Sequence, residues 1–100
     1  MIIRKTGEFD KWLTKLRDTE ARVRINMRIK RLGEGNPGDH RFLGDISELH
    51  IDYSPGYRVY YKDTGKEIII ILCGGDKATQ QADIARARDI ATRPFEEEEE

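Results

Sequence analysis

A chain of 100 residues suffices for one domain with a core that needs neither disulfide nor metal. The lone Cys73 excludes an internal disulfide and fits a reducing cytosol, and no apolar run has the length of a membrane span or the form of a secretory signal. The formal charge of −1 hides a basic body, since 18 basic residues face only 14 acidic ones once residues 96–100 (all Glu) are set aside, and such a body points to a polyanionic partner.

Residues 1–5 form a short apolar start suited to an edge strand. Phe9, Trp12, Leu13 and Leu16 then recur at i, i+3, i+4 and i+7, the spacing of a helix with one buried stripe. Asp18 is placed to cap a second helix, whose apolar row is Ala21, Ile25, Ile29 and Leu32, and Gly33 is suited to end it. Two short helices with a tight link make a helical hairpin that must lie on something. Arg17, Arg24, Arg28 and Arg31 fall at steps of seven, four and three residues, a basic row that is either a solvated face or a surface for phosphate. Residues 33–38, with three glycines, a proline and an asparagine, form a loop, and residues 42–46 lead into a sheet.

Residues 49–77 carry the sheet. Leu49, Ile51 and Tyr53 share one face by the period-2 rule, with Glu48, His50 and Asp52 on the other. Tyr57, Val59 and Tyr61 likewise alternate with Arg58, Tyr60 and Lys62. Pro55-Gly56 suits the two central positions of a type II turn, and Asp63-Thr64-Gly65 a three-residue hairpin loop. Residues 68–73 are apolar throughout, as in a strand covered on both faces, and Cys73 among them is expected to be a small core residue rather than a nucleophile. Three antiparallel strands follow, with the helical hairpin on the face of Leu49, Val59 and Tyr61. His50, Arg58, Tyr60 and Lys62 are then expected on an open opposite face, with Asp76 and Lys77 arriving just past the last strand. Gly74-Gly75 is either a simple turn or a turn whose amides meet an anion. Thr79 is positioned to cap a last helix in which Ile84, Ala87 and Ala91 face inward, and Arg93-Pro94 ends it. Residues 1–95 are expected to form one domain and residues 96–100 a disordered acidic tail. No metal-ligand cluster, Walker-type loop or Ser/His/Asp arrangement occurs, so neither metal nor cofactor is expected.

The strings ELHIDYSPGYRVYY, GGDKATQQADIARA and FDKWLTKLRDTEARVRINMRIKRL together resemble the RelE/ParE superfamily of type II toxin–antitoxin toxins, in its HigB-like, addiction-module killer subgroup. The similarity runs over residues 9–87 with the spacing between blocks kept. It implies an α+β fold: an N-terminal helical hairpin on a small antiparallel sheet, followed by a C-terminal helix. It also implies a cytoplasmic toxin that enters the ribosomal A site and cuts messenger RNA, neutralised by an antitoxin resembling a helix-turn-helix DNA-binding protein. Arg58 in GYRVYY matches the arginine such toxins place at the scissile phosphate, and Lys77 falls where they bring a further catalytic or RNA-contacting side chain. His50 stands where the subgroup typically shows arginine.

Metal-free RNA cleavage needs a base for the 2′-hydroxyl, relief of charge on the phosphorane and an acid for the 5′ oxygen. The expected catalytic set is His50, Arg58 and Lys77, with Glu48 an alternative base. Arg24, Arg28, Arg31, Tyr60, Lys62 and Asp76 are the expected RNA contacts, Tyr60 by stacking on a base. Two other classes share the pattern: a ParE-type gyrase poison, and an inactive component that binds antitoxin.

Overall fold

The structure, a computed structural model, describes residues 1–94, so the tail expected at 96–100 lies outside the described residues. A five-stranded sheet organises the chain. Its strands β1 (Ile2–Lys5), β2 (His40–Phe42), β3 (Ser47–Ile51), β4 (Tyr57–Asp63) and β5 (Ile68–Asp76) lie in the spatial order β1-β5-β4-β3-β2. Helices α1 (Gly7–Lys15) and α2 (Thr19–Gly33) form the N-terminal hairpin, and α3 (Gln80–Ala91) closes the chain. This is the α+β architecture implied above. One feature differs: β1 runs parallel to β5, pairing Ile2 with Ile68 and Lys5 with Ile71, so the sheet is mixed.

The alternation along β3 and β4 dictates which side each helix takes. Phe9, Ala21, Ile25, Ile29 and Leu32 of the hairpin bury Leu49, Ile51, Tyr57, Val59 and Tyr61. The opposite face is not open along its length. Ile84, Ala87 and Ile90 of α3 need a partner, and Ile46, Tyr60, Leu72 and Cys73 supply it, making a second core. Ile90 completes the inward stripe, with the partly buried Ala91 packed against the same core. The apolar run of β5 is therefore covered on both sides. Tyr60 pairs with Cys73 and Tyr61 with Ile71, leaving Leu72 as an extra residue in β5. That bulge turns Leu72 and Cys73 toward the same helix. Burial pushes the Cys73 thiol up to about 11.

Several local features depart from the sequence expectations. The Ser54–Pro55 bond is cis and Gly56 N donates to Tyr53 O (2.7 Å), so Pro55 takes the third position of the turn, as in type VI rather than type II. The β4–β5 loop spans residues 64–67, four rather than three, with Gly65 and Glu67 both at positive φ. Gly74 and Gly75 form neither a turn nor an anion nest. Both lie inside β5, opposite Val59 and Arg58, because helices approach the strand too closely for a side chain. A Cβ on Gly74 would stand 2.7 Å from Trp12 Cη2, and one on Gly75 2.6 Å from Asp83 Cγ. Asp18 does cap α2, accepting from Ala21 N at 3.2 Å. Thr79 takes the N-cap position of α3 but makes no side-chain cap bond, and the capping carboxylate is that of Asp76 on the 3-10 turn just ahead of it.

Candidate functional site

Strand pairing sets His50 of β3 directly across from Arg58 of β4, which itself faces Gly75 of β5. Asp76 Oδ1 accepts from Ala78 N (2.8 Å) and Thr79 N (3.2 Å), folding residues 77–79 into one 3-10 turn at the end of β5. Lys77 therefore emerges beside Arg58. Gly56 sits against both, since a Cβ there would lie 3.7 Å from Arg58 Nη1 and 3.6 Å from Lys77 Cβ. His50, Arg58 and Lys77 line one open depression, together with Asp39, Asp52 and the turn at residues 53–56. The α3 helix, which covers the rest of this face, leaves that end uncovered.

Beneath the depression lies Glu48, with a side chain 0 % exposed. Its Oε1 meets His50 Nε2 at 2.7 Å and Arg41 Nη2 at 3.3 Å, while Oε2 accepts from Gln80 Nε2 at 2.9 Å. Burial alone would raise its pKa, yet hydrogen bonds from Gln80 and His50 hold it below the usual carboxylate value. Glu48 is thus an ion, and it is shut away from any substrate hydroxyl. The expectation that it serves as an alternative base is corrected on that ground.

Arg58 is held differently. Its side chain is only 16 % exposed, yet its nearest carboxylate contact is Nε to Glu48 Oε2 at 4.0 Å. Nη1 donates a long 3.5 Å bond to Gly56 O, and Nε has no hydrogen-bond partner. Protein groups leave most of this fork unsatisfied, although buried donors are normally paired. An anion with two oxygens would meet its terminal nitrogens from the open side, whereas the orphaned Nε is buried and faces Glu48. Sequence proximity points to Asp52 as the only neighbouring acid, whereas the contacting one is Glu48, brought in by strand pairing.

The remaining residues expected at the site lie elsewhere or serve the fold. Tyr60 is 0 % exposed and packs in the second core, so it cannot stack on a base. Lys62 sits at the far end of β4, where Nζ donates to Ala91 O (3.3 Å) at the C-terminus of α3. Asp76 is engaged in capping. Arg24, Arg28 and Arg31 line a separate groove with Val23, Met27, Ile51 and Asp52. Arg24 pairs with Glu20 (3.0 Å) and lies over the Tyr53 ring, 4.6 Å from its centre. Arg31 is exposed.

Arg28 has turned inward instead. It donates to the carbonyls of His50, Pro37 (2.8 Å) and Asp39 (2.9 Å), pinning the glycine-rich loop to the edge of β3. Arg28→Ala is therefore expected to destabilise the protein by about 2–3 kcal/mol, because three carbonyls lose a charged donor. Urea unfolding should show this as a lower midpoint at unchanged slope.

One contact of the site escapes sequence reasoning. The sequence gives no sign that Gln80 reaches across to Glu48, because that contact joins residues 32 apart. Glu48 is legible as an acid in phase with His50, but its burial and its bond to the imidazole are not. Among the described residues, no three His, Cys, Asp or Glu side chains cluster so as to hold a metal ion, and no helix is long and apolar enough to cross a membrane.

Comparison with known proteins supplies a relative and a fold. The chain is 50% identical over 90 residues to an uncharacterized protein of Haemophilus influenzae, covering 89% of this chain and 91% of that one. Its fold matches that of an arginine-to-alanine double mutant of the E. coli toxin RelE in the free state. The TM-score is 0.69 at 17% identity, over 88% of this chain and 94% of the other. No family model matches the chain.

Proposed function

This chain belongs to the family of the Haemophilus influenzae protein, and from that premise and its RelE-type fold we propose that it is the toxin of a type II toxin–antitoxin pair, of the HigB-like subgroup, acting as a metal-independent messenger RNA endoribonuclease at the ribosomal A site. The observation that carries the reading is Arg58. A guanidinium that is mostly buried, poorly satisfied by the protein and open to a depression shared with His50 and Lys77 fits a phosphodiester.

The reaction follows from these positions. His50 takes the proton of the 2′-hydroxyl, and the freed oxygen forms a bond to phosphorus. Arg58 holds two phosphate oxygens as charge builds on the phosphorane. Lys77 delivers a proton to the 5′ oxygen as the P–O5′ bond breaks. The products are a 2′,3′-cyclic phosphate and a 5′-hydroxyl. The partner that silences the toxin is an antitoxin of helix-turn-helix type, and the site of action is the cytoplasm.

The test uses purified protein with messenger RNA, free and on programmed ribosomes. Cleavage within the A-site codon, leaving a cyclic phosphate on the upstream fragment, is the expected outcome. Intact RNA under both conditions would overturn the proposal.

A further inference from the structure

We propose that Glu48 is a positioning residue that fixes the tautomer of His50, keeping the hydrogen on Nε2 and leaving Nδ1 as the atom that accepts the proton from RNA. This deepens the ribonuclease reading and rests on it for the identity of the proton donor. The hydrogen-bond geometry itself stands apart from that reading.

An ionised carboxylate can accept a hydrogen bond and never donate one. Glu48 Oε1 lies 2.7 Å from His50 Nε2, so that nitrogen carries the hydrogen. The other nitrogen has no such partner. Nδ1 lies 3.6 Å from Asp39 Oδ1, beyond hydrogen-bond reach, and Asp39 lines the same depression. In the neutral imidazole the lone pair is therefore on Nδ1, beside the site.

The carboxylate is itself fixed from several elements. Arg41 of β2, His50 of β3 and Gln80 of α3 all contact it, and Arg58 of β4 stands 4.0 Å away. A fully buried carboxylate is costly unless its oxygens are occupied, and these contacts occupy both. When His50 takes a proton it becomes a cation between Glu48 and Asp39. The charged groups around that cation are Glu48, with Arg41 on the same carboxylate oxygen, and Asp39, Asp52, Arg58 and Lys77 along the depression. Arg28 meets His50 only at its backbone carbonyl, not at the ring. Glu48 thus serves twice: it selects the tautomer and steadies the imidazolium.

Two readouts separate this role from a purely structural one. Long-range ¹⁵N–¹H correlation spectra of the native protein, recorded above the imidazole titration, should show His50 as the Nε2–H tautomer. Glu48→Gln, whose amide can donate as well as accept, should show both tautomers. In cleavage assays the same variant should lose about 100-fold or more in kcat with KM little changed, and the acid limb of its pH profile should move to lower pH. An Nδ1–H tautomer in the native protein would overturn the proposal, and so would an unmoved acid limb in Glu48→Gln. The native spectrum needs no RNA and no variant, so an Nδ1–H result overturns the proposal even if Glu48→Gln fails to fold. A native protein that shows the Nε2–H tautomer but cuts no RNA would remove the proposed function and leave the tautomer lock standing.

Discussion

Arg58→Ala is expected to lower the rate of RNA cleavage by about 10²–10³-fold while the protein remains folded, in line with the loss of one preorganised donor group in other active sites. The magnitude follows from where the guanidinium stands. Held at 16 % exposure, it would meet a phosphate from a partly desolvated position, where charge stabilisation exceeds that of a surface arginine. Folding should tolerate the change because the lost contacts are weak: one 3.5 Å bond to Gly56 O and a 4.0 Å approach to Glu48. Glu48 keeps its bonds from His50, Arg41 and Gln80. Arg58→Lys should recover little, since an ammonium keeps the charge and loses the planar fork. Single-turnover cleavage together with a thermal melt measures both halves of the expectation. A melting temperature far below that of the native protein would assign Arg58 to the fold instead.

The second large effect is on stability. Gly75→Ala should cost at least about 3 kcal/mol, at the upper end for inserting atoms into a packed interior. For a domain of this size that corresponds to a fall in Tm on the order of 15 °C. The new methyl group would strike the Asp83 carboxylate, which is buried and tied to Thr79 Oγ1 and to Arg86 Nη2 at 3.2 Å. Relief would require α3 to move off the sheet, opening the second core around Tyr60 and Cys73. Gly74→Ala meets the rigid Trp12 ring on the other face and should be similarly severe. Gly7→Ala is the control, since nothing lies within 4 Å of a Cβ there. Calorimetry on the three variants should show two large losses and one near-neutral change.

These glycines also show why part of the molecule was legible in the sequence and part was not. Periodicity identified the helical hairpin, the three central strands and the side on which Leu49, Val59 and Tyr61 bury themselves, because those are properties of single segments. His50 and Arg58 fell on one face by strand parity, and the structure sets them opposite each other. Contacts between segments were not accessible in the same way. GlyGly after an apolar run looks like a turn until Trp12 and Asp83 are known to press on it from opposite faces. Tyr60 has the parity of an exposed residue and is buried, because α3 crosses the same face. Arg28 belongs to a basic helical row by spacing, yet the loop carbonyls draw it inward. The bulge at Leu72 is hidden in a run where every residue is apolar and either orientation reads alike.

The most direct test of the account maps the ends of messenger RNA after induction of the native protein and of Arg58→Ala. Breaks phased to codons and carrying 5′-hydroxyl ends, present with the native protein and strongly reduced with the variant, are the predicted result. Intact messages alongside a broken chromosome, or breaks undiminished in Arg58→Ala, would contradict it.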